Sequence, residues 1–441
     1  MGLLVDACYL LAAAVLAPIV LYRSITTGKY RRDWDQRRGW LPEMFAGRPR
    51  VWLHAVSMGE VNSIQGIVAA WRRRSPETEF VISCTTGTGI DRARRLFPDL
   101  TVFRYPLDLS WFVARALDRI KPTMVVLVEL EVWYQFLELA ETRGIPVVVV
   151  NGRLTESKSL RRFRWIMPVA RRMFSRLAWV GAQDEVYADR FRQLGVPGDC
   201  VTVTGSMMWD TAEITDAIPG SDMLARAMGL DPDRPTWVCG STAPGEEPVI
   251  LKAYESLCRR HPKLQLVIVP RKPERFDEVA AAIRQAGFDC VRRSESPDGT
   301  ERPPSETAVL LGDTMGELRK FYTLADVVFV GRTLADMGGS DMMEVAGLAR
   351  PIVVGPHTHN FTDTVRQLQA GDAVRVVSAD LENPAAADAL ARAVAELLDD
   401  PGTARRLADN GRDVVKRNRG ATQRTLDSLM EILDRAQHRA S

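Results

Sequence analysis

The chain has 441 residues, of which 46% are hydrophobic and 26% are charged, and its net charge at pH 7 is +2. A chain of this length exceeds one ordinary hydrophobic core and predicts two domains of roughly 200 residues each. The near-neutral charge gives no overall reason to expect nucleic-acid binding. The six cysteines are scattered and form no CxxC pair, which is typical of reduced thiols in a cytosolic protein rather than of a disulfide framework or a zinc site.

Residues 1–22 form an apolar N-terminal segment that carries one charge, Asp6. Its uncharged run, residues 7–22, is shorter than the ~20 residues that a membrane-spanning helix usually needs. The basic residues that follow favour a cytoplasmic location for the rest of the chain; they are Arg23, Lys29, Arg31, Arg32, Arg37 and Arg38. A secretory signal would instead begin with positive charge and end in a cleavage site. We predict an uncleaved membrane anchor at residues 1–22; the alternative is a buried amphipathic helix with a solvated basic end.

Apolar, strand-like runs alternate with helical stretches through the rest of the chain. The first series is VWLHAV, FVISCT, TVFRYP, TMVVLVEL, IPVVVVNG, LAWVGAQ and VTVTGS, and the second is TWVCGS, LQLVIVP, AVLLGD, DVVFVG, PIVVGP and AVRVVS. This alternation predicts parallel sheets that are covered by helices on both faces. We therefore predict two doubly wound α/β domains, residues 23–212 and 232–401, that face a cleft lined by strand ends, followed by a helical region at residues 402–441.

The stretch 158–180, KSLRRFRWIMPVARRMFSRLAWV, interleaves basic residues with apolar and aromatic ones. The basic residues are Lys158, Arg161, Arg162, Arg164, Arg171, Arg172 and Arg176. A basic amphipathic helix of this kind suits an anionic membrane surface or a phosphorylated lipid. The alternative is a surface helix with one buried face.

The motif HAVSMGEV, residues 54–61, ends a predicted strand and begins a helix. The S-x-x-E spacing of Ser57 and Glu60 predicts a capping box, in which each side chain accepts a hydrogen bond from the other residue's amide. Thr314 and Glu317 have the same spacing. Glu60 also lies just beyond the first strand, on the predicted cleft side. A carboxylate there can serve as a general base, with a pKa that the helix N-terminus keeps low.

The second predicted domain carries several strand ends that are suited to anions. The loop GSTAPGEE, residues 240–247, precedes a helix and is expected to present its amides to an oxyanion. Arg271 and Lys272, in VPRKPERF, are suited to pairing with a phosphate. The loops GDTMGEL, MGGSDMMEV and VGPHTHNF follow successive strands and together predict a nucleotide pocket, in which Glu344 binds ribose hydroxyls. His357 and His359 have no evident third metal ligand, which favours a structural or substrate-contact role.

Taken together and in this order, these segments resemble the 3-deoxy-D-manno-octulosonic acid (Kdo) transferases of lipopolysaccharide synthesis. The resemblance extends from the N-terminal anchor to about residue 375. It is carried by HAVSMGEV, VELEVW, NGRLTESKS, AQDEVYADRFRQLG, VTVTGS, GSTAPGEE, PRKPERF, GDTMGEL and GPHTHNF.

The resemblance implies the two-domain GT-B glycosyltransferase fold, with an N-terminal acceptor-binding domain and a C-terminal nucleotide-sugar-binding domain. It implies that the donor is CMP-Kdo and that the acceptor is the lipid A precursor at the cytoplasmic side of the bacterial inner membrane. It also implies an inverting transfer that needs neither a metal nor a further cofactor.

The same resemblance implies roles for individual residues. Glu60 is the base that deprotonates the acceptor hydroxyl, and Glu129 stabilises the transition state. The contacts to the CMP part of the donor fall on Pro270, Arg271, Lys272, Met315, Gly316, Glu317, Asp341, Met342, Met343 and Glu344.

The chain departs from the family pattern at several of these positions. Met208, in GSMMWD, replaces a lysine, and Asp341, in GGSDMMEV, replaces an asparagine. A methionine cannot neutralise phosphate charge, and an added carboxylate beside an anionic donor weakens binding unless it is paired or protonated. These changes leave two alternatives open: a GT-B enzyme that uses another sugar nucleotide, including an epimerase, and a catalytically degenerate paralogue.

Overall fold

The computed structural model describes residues 2–27, 33–45, 47–155, 160–296 and 308–440. The chain divides into two compact units, Met1–Thr211 with Arg419–Ser441 and Ala212–Asn418. Four of the basic residues singled out in the sequence lie outside the described residues; they are Lys29, Arg31, Arg32 and Lys158.

The first unit is built on a seven-stranded parallel sheet. Its strands are β1 Arg50–His54, β2 Glu79–Cys84, β3 Thr101–Arg104, β4 Met124–Val128, β5 Val147–Gly152, β6 Trp179–Ala182 and β7 Val201–Val203. They lie in the order β3-β2-β1-β4-β5-β6-β7. β1 and β4 are buried along their whole length because helices cover both faces of the sheet. The predicted parallel sheet is confirmed.

Helices form a layer on each face of this sheet. The helices before residue 200 are α1 Gly2–Thr27, α2 Trp34–Arg37, α3 Met58–Ser63, α4 Gln65–Arg74, α5 Gly87–Leu96, α6 Ser110–Ile120, α7 Tyr134–Thr142, α8 Arg161–Arg164, α9 Met167–Phe174 and α10 Glu185–Gln193. One core contains apolar residues of α6, α7, α9 and α10, and the core on the other face contains those of α3, α4 and α5. Alternate residues of each strand serve the two cores: Trp52 belongs to the first, and Val51 and Leu53 belong to the second.

The second unit has a parallel sheet of the same kind. Its strands are β8 Thr236–Thr242, β9 Gln265–Pro270, β10 Cys290–Arg292, β11 Val309–Leu311, β12 Val327–Val330, β13 Ile352–Val354 and β14 Arg375–Val376. They lie in the order β10-β11-β9-β8-β12-β13-β14. The sequence interpretation missed β10, because this edge strand has three half-buried residues and lacks the apolar run that marks a central strand.

The helices of the second unit are α11 Ser221–Met228, α12 Glu246–Cys258, α13 Phe276–Gln285, α14 Leu318–Thr323, α15 Met343–Gly347, α16 Thr362–Ala370, α17 Ala386–Asp399 and α18 Pro401–Asn418. Apolar residues of α12, α13, α17 and α18 form one core with the strands. The last helix, α19 Ala421–Ala440, belongs to the first unit, where Leu426, Leu429 and Leu433 join the core that contains α3, α4 and α5. The carboxylate of Asp210 holds the start of α19, because it accepts from the amides of Gly420 and Thr422 at 2.6 Å each.

The N-terminal helix α1 extends beyond the predicted segment 1–22, to Thr27. Its part Gly2–Ile19 is long and apolar enough to cross a membrane, with a mean hydropathy of 2.0, and only 6% of this part is buried. Among the side chains of α1 that the structure describes, Asp6 alone is buried. The alternative of a buried amphipathic helix is therefore wrong.

The basic amphipathic helix expected within residues 158–180 is not one continuous helix, so this expectation is wrong as well. The described part of this stretch forms the two short helices α8 and α9, which are separated at Trp165 and Ile166. Pro168 lies in the first turn of α9, where its missing amide hydrogen costs no helical bond, and so it fits a helix start better than a helix interior. Trp165 is 85% exposed. Arg176 is engaged within the unit, since it pairs with Glu138 and Glu141 at 3.2 and 2.8 Å.

Candidate active site

The first sheet places Glu60 and Glu129 at its topological switch point. The strand order reverses between β1 and β4, so the chains that leave these neighbouring strands run to opposite sides of the sheet. Such a reversal opens a crevice at the carboxyl ends of the strands, which is where doubly wound sheets bind ligands. Glu60 lies in α3, after β1, and Glu129 follows β4 directly.

The Glu60 carboxyl bends back to the loop in front of its own helix. Its Oε2 accepts from the amide of Val56 at 2.7 Å, and its Oε1 accepts from the Ser57 hydroxyl at 3.1 Å. Ser57 occupies the N-cap position of α3 but makes no side-chain cap hydrogen bond. Neither hydrogen bond of the predicted capping box forms, so this prediction is wrong. Glu60 is half-buried in the crevice.

The pKa of Glu60 is raised to about 8. Burial is the largest cause, and the negative charges of Glu129 and Glu131 add to it, whereas the hydrogen bonds from Val56 and Ser57 oppose it. The expectation that the helix N-terminus keeps this pKa low is wrong, because desolvation outweighs the favourable amide interactions. At neutral pH the carboxyl holds its proton in most molecules, and it becomes a base slightly above neutrality.

Glu129 has an uncommon backbone conformation, with φ at +63°. A left-handed conformation costs a non-glycine residue on the order of 1 kcal/mol or more and is concentrated at functional sites. The Glu129 amide continues the sheet by donating to the Val150 carbonyl at 3.0 Å. Burial raises the pKa of the Glu129 carboxyl, the nearby charge of Arg153 opposes this shift, and Glu131 adds to it. The sequence interpretation assigned no role to Glu131 or Arg153, although both lie in the motifs VELEVW and NGRLTESKS.

His54, at the end of β1, is a poor candidate for the base. Burial lowers its pKa to about 3, so the ring is neutral at physiological pH. Its Nδ1 lies 3.1 Å from the carbonyl oxygen and 2.9 Å from the hydroxyl of Ser83, and its ring stacks on Tyr105 with centroids 3.8 Å apart. These contacts make His54 a packed structural residue.

In the second sheet the order reverses between β8 and β12, and a buried carboxylate, Glu246, occupies the loops that follow these strands. Glu246 accepts from the amides of five residues at 2.8–3.2 Å; they are Ala243, Arg332, Thr333, Leu334 and Ala335. The prediction that the loop 240–247 presents its amides to an oxyanion is therefore wrong for Ala243. The Glu246 carboxylate accepts hydrogen bonds from these amides and so links the loop that follows β8 to the loop that follows β12.

Arg271 and Lys272 lie on a cationic cavity of about 270 Å³ at the end of β9. Arg332 and Met337 also line it, together with the first residues after β8. The backbone of Arg271 is fixed because its amide donates to the Thr242 carbonyl at 3.1 Å. Pro270 is the last residue of β9. Four cationic side chains line this cavity, those of Arg271, Lys272, Arg275 and Arg332, together with the carboxylate of Glu274. Arg275 pairs with the buried Glu247 at 2.8 Å, and the other three cations suit a phosphate group.

Asp341 and Glu344 form an acidic pair at the start of α15. Burial raises the pKa of both carboxyls, and the charge of Asp341 contributes to a pKa of about 7 for Glu344. The nearby charge of Arg271 opposes both shifts. The Asp341 carboxylate also accepts from the Met343 amide at 2.9 Å. Met342 and Met343 are fully buried, so they support the loop from inside the core.

The loop Met315–Glu317 precedes α14. Met315 is 70% exposed, and Gly316 has a positive φ of 87° that favours glycine. The pKa of Glu317 is lowered. Burial opposes this shift, but the hydrogen bond from Thr314 at 2.5 Å and the ion pair with Arg293 at 2.9 Å favour the charged form, and together they outweigh the effect of burial. Glu317 itself occupies the N-cap position of α14, so the second predicted capping box is wrong as well.

His357 and His359 lie beside the loop that follows β12, and the amide of His357 donates to the Thr333 carbonyl at 2.9 Å. His357 is 3.5 Å from both Asp336 and Asp380, and His359 is 3.4 Å from Asp336. Among the described residues, no three His, Cys, Asp or Glu side chains are grouped closely enough to hold a metal ion.

Met208, which stands in place of the family lysine, lies half-buried in a single helical turn, Met207–Thr211, of the first unit.

Comparisons with known proteins agree over most of the chain. Residues 32–211 match the model of the family described as 3-Deoxy-D-manno-octulosonic-acid transferase (kdotransferase). A 3-deoxy-D-manno-octulosonic acid transferase of Haemophilus influenzae is 34% identical over 415 residues, which cover 93% of this chain and 94% of the relative. The protein of the same name in Bordetella pertussis is 34% identical over 394 residues and covers 87% of each chain.

A solved structure shows the same architecture. MurG of Acinetobacter baumannii is 12% identical to this chain, with a TM-score of 0.55, and the match covers 87% of this chain and 99% of MurG. Together with the two parallel sheets, this likeness confirms the predicted GT-B fold.

The amide cluster around Glu246 generates a stability prediction. In Glu246→Gln, the side-chain NH₂ group faces amide donors that have no other acceptor in place, so we expect a loss of about 3 kcal/mol in the free energy of unfolding, measured by urea denaturation. Glu274→Gln, at an exposed carboxylate of the neighbouring cavity, is the matched control and is expected to change stability by less than about 0.5 kcal/mol. Equal stability of the two variants would contradict the structural role of Glu246.

Proposed function

Because the chain belongs to the Kdo transferase family and is a glycosyltransferase, we propose that it transfers Kdo from CMP-Kdo to a lipid A precursor at the bacterial inner membrane. The observation that carries this proposal is the Glu60 carboxyl, which the fold places in the switch-point crevice with a pKa of about 8. A general base works best when its pKa lies near the pH of the reaction.

In the proposed reaction, the acceptor hydroxyl oxygen forms a bond to the anomeric carbon of Kdo while the bond from that carbon to the phosphate oxygen breaks. The hydroxyl proton passes to ionised Glu60, and CMP leaves with the electron pair of the broken bond. This single displacement inverts the anomeric centre. Positive charge develops on the sugar ring as the leaving group departs, and we assign its stabilisation to the Glu129 carboxylate.

The second unit is proposed to hold the CMP moiety. Arg271, Lys272 and Arg332 supply positive charge at one cavity, so they are suited to the donor phosphate and to the charge that develops on it. We assign the nucleoside to Pro270, the loop Met315–Glu317 and the segment Asp341–Glu344. With these cations the proposed reaction has no step that uses a metal or a further cofactor.

The substitution of the family asparagine by Asp341 is compatible with this assignment. Burial raises the pKa of Asp341 and so favours its neutral, protonated form. A neutral carboxyl resembles an amide in size and in its ability to donate a hydrogen bond. The direction of this pKa shift opposes the charge penalty expected from the sequence.

Attachment to the inner membrane, with both units on the cytoplasmic side, is proposed from the first unit. Helix α1 exposes large apolar side chains, among them Leu11, Val15 and Ile19. The basic residues Arg37 and Arg38 follow it, which favours retention of the following chain in the cytoplasm. An apolar attachment of this kind suits an enzyme whose acceptor is a lipid.

The direct test is an assay of transfer from CMP-Kdo to a tetraacylated lipid A precursor, in a buffer that contains EDTA. We expect transfer by the wild type and at least a ~10²-fold lower rate in Glu60→Gln, because the amide cannot accept the hydroxyl proton. Glu77→Gln, at an exposed carboxylate of the same unit, is the control and should keep the wild-type rate.

An unchanged circular dichroism spectrum and melting temperature show that the first unit of Glu60→Gln is folded, and CMP binding measured by calorimetry shows that its second unit is intact. Wild-type rates in folded Glu60→Gln would exclude Glu60 as the base. A folded wild type that binds CMP but transfers no Kdo would instead favour another sugar nucleotide or a degenerate paralogue.

The pKa of Glu60 predicts the pH dependence of the reaction. The ionised carboxyl is the active form, so kcat/KM is expected to rise about tenfold per pH unit below pH 8 and to level off above it. The residual activity of Glu60→Gln should lack this rise. A profile that is flat between pH 6 and pH 9 for the wild type would contradict the assignment.

The cationic cavity predicts donor affinity. Arg271→Met is expected to raise the Kd for CMP about tenfold to a hundredfold, because a charge-assisted hydrogen bond to the phosphate is lost. Lys252→Met, at an exposed lysine of α12, is the control and should leave the Kd unchanged. Cytidine, which has no phosphate, should bind wild type and Arg271→Met equally; a similar loss for cytidine would place Arg271 against the nucleoside instead.

A further inference from the structure

The first two turns of α1 are docked on the first unit, whereas the rest of the helix is not. Gly2, Val5, Asp6 and Tyr9 lie on one face of the helix and are buried or half-buried. From Leu10 onward, every side chain of α1 that the structure describes is exposed. The helix is therefore held at its N-terminal end and projects from the unit beyond it.

The docking is polar and specific. Asp6 is 3% exposed, and its carboxylate accepts from the amide and hydroxyl of Ser110 at 2.9 and 2.6 Å and from Gln135 Nε2 at 2.9 Å. Gln135 Nε2 also donates to the Gly2 carbonyl at 2.7 Å, and Tyr9 hydrogen-bonds to the Asp108 carboxyl. A buried carboxylate with three donors is costly to expose, so these bonds fix residues 2–9 to the starts of α6 and α7.

The chain is tied to the same unit again shortly after α1 ends. The Asp33 carboxylate pairs with Arg104 at 2.8 Å, and Gln36 accepts from the Arg104 amide at 2.7 Å. Arg104 is the last residue of β3, and Ser110 is the first residue of α6, the helix that follows β3. The two tie points of α1 thus lie at the same carboxyl-end edge of the first sheet.

Chain length then limits where α1 can go. Asp33 follows Thr27 by six positions, 27 to 33, and six residues reach about 20 Å when fully extended. The hydrocarbon core of a bilayer is about 30 Å thick. A helix that crossed this core from Asp6 would leave Thr27 on the far side, too distant for Asp33 to return to Arg104. A spanning orientation is incompatible with both tie points.

The projecting part of α1 is nevertheless too apolar for water. Residues 10–22, LLAAAVLAPIVLY, contain no charged side chain, and their exposed positions surround the helix. Helices that lie at a membrane surface keep one polar face, and this one has none. A helix that is apolar all round requires burial on every side. Its diameter of about 10 Å fits within one leaflet, whose hydrocarbon layer is about 15 Å thick.

We propose that the projecting part of α1, residues 10–22, is immersed in the hydrocarbon of a single leaflet and that the chain returns to the face by which it entered, so that the N-terminus and both units remain on the same side of the membrane. Exposed tryptophans next to this helix suit the lipid–water boundary: Trp34 and Trp40 follow α1, and Trp111 lies on α6. Arg115 stacks on Trp40 with its guanidinium carbon 4.3 Å from the ring centroid, which adds a cation at the same boundary. This inference rests on the proposed membrane attachment but not on the donor or the acceptor.

Cysteine labelling in sealed membrane vesicles tests the topology. Leu3→Cys reports on the N-terminal end of α1, and Lys252→Cys reports on the second unit; both positions are exposed. Each is made in a Cys8→Ser background, because Cys8 is itself exposed, and Cys8→Ser alone gives the blank. Inside-out and right-side-out vesicles are treated with a membrane-impermeant maleimide.

We expect both reporters to be labelled at least tenfold more in inside-out than in right-side-out vesicles. Labelling of Leu3→Cys from the right-side-out face, with Lys252→Cys labelled from the inside-out face, would show that α1 crosses the bilayer and would overturn the inference alone. Recovery of the wild type in the soluble fraction would overturn both the immersion and the proposed membrane attachment. Neither result bears on transfer by the purified protein, so the two kinds of failure are distinguishable.

Discussion

Parallel strands impose one constraint on this chain. Each connection must return to the amino end of the next strand, so the carboxyl ends of all strands lie on the same side of the sheet. The strands themselves are largely buried, and the few polar side chains in them, such as His54, are held in internal hydrogen bonds. Chemistry is therefore confined to the residues that follow the strands. Glu60 and Glu129 in the first unit, and Arg271 and Glu344 in the second, all occupy such positions.

The charged side chains at the carboxyl ends of the strands differ in sign between the two units. In the first, burial raises the pKa of Glu60 and of Glu129; the charges of Glu129 and Glu131 add to the shift of Glu60, and the charge of Glu131 adds to that of Glu129. In the second, cations dominate the cavity at the end of β9, and the acidic pair Asp341 and Glu344 is itself shifted toward the neutral form. In the first unit, desolvation therefore raises the pKa of Glu60, so this carboxylate can accept a proton. In the second unit, the side chains around the cavity have a net positive charge, which suits a phosphate.

The structural features that depend on short-range sequence patterns could be predicted from the sequence. Apolar runs located every strand except β10, and the strand-end position of Glu60 followed from them. The pKa of Glu60 could not be predicted, because it depends on burial in the folded chain and on the charges of Glu129 and Glu131, which a different strand brings beside it. Glu246 gave no local signal either, since four of the amides that it binds lie near residues 332–335, far along the chain. The break at Pro168, in contrast, was readable from the sequence by the missing amide hydrogen alone.

The return of α19 to the first unit has a consequence for synthesis. Leu426, Leu429 and Leu433, with Ala421, complete a core whose other buried members precede residue 210, and the whole second unit, Ala212–Asn418, lies between the two groups along the chain. Until α19 has been made, the apolar surface of α4 and its neighbours has no cover, and Asp210 has no helix start to bind. The core of the first unit therefore cannot close until the second unit has been translated, and during that interval its apolar surface is open to contact with other chains.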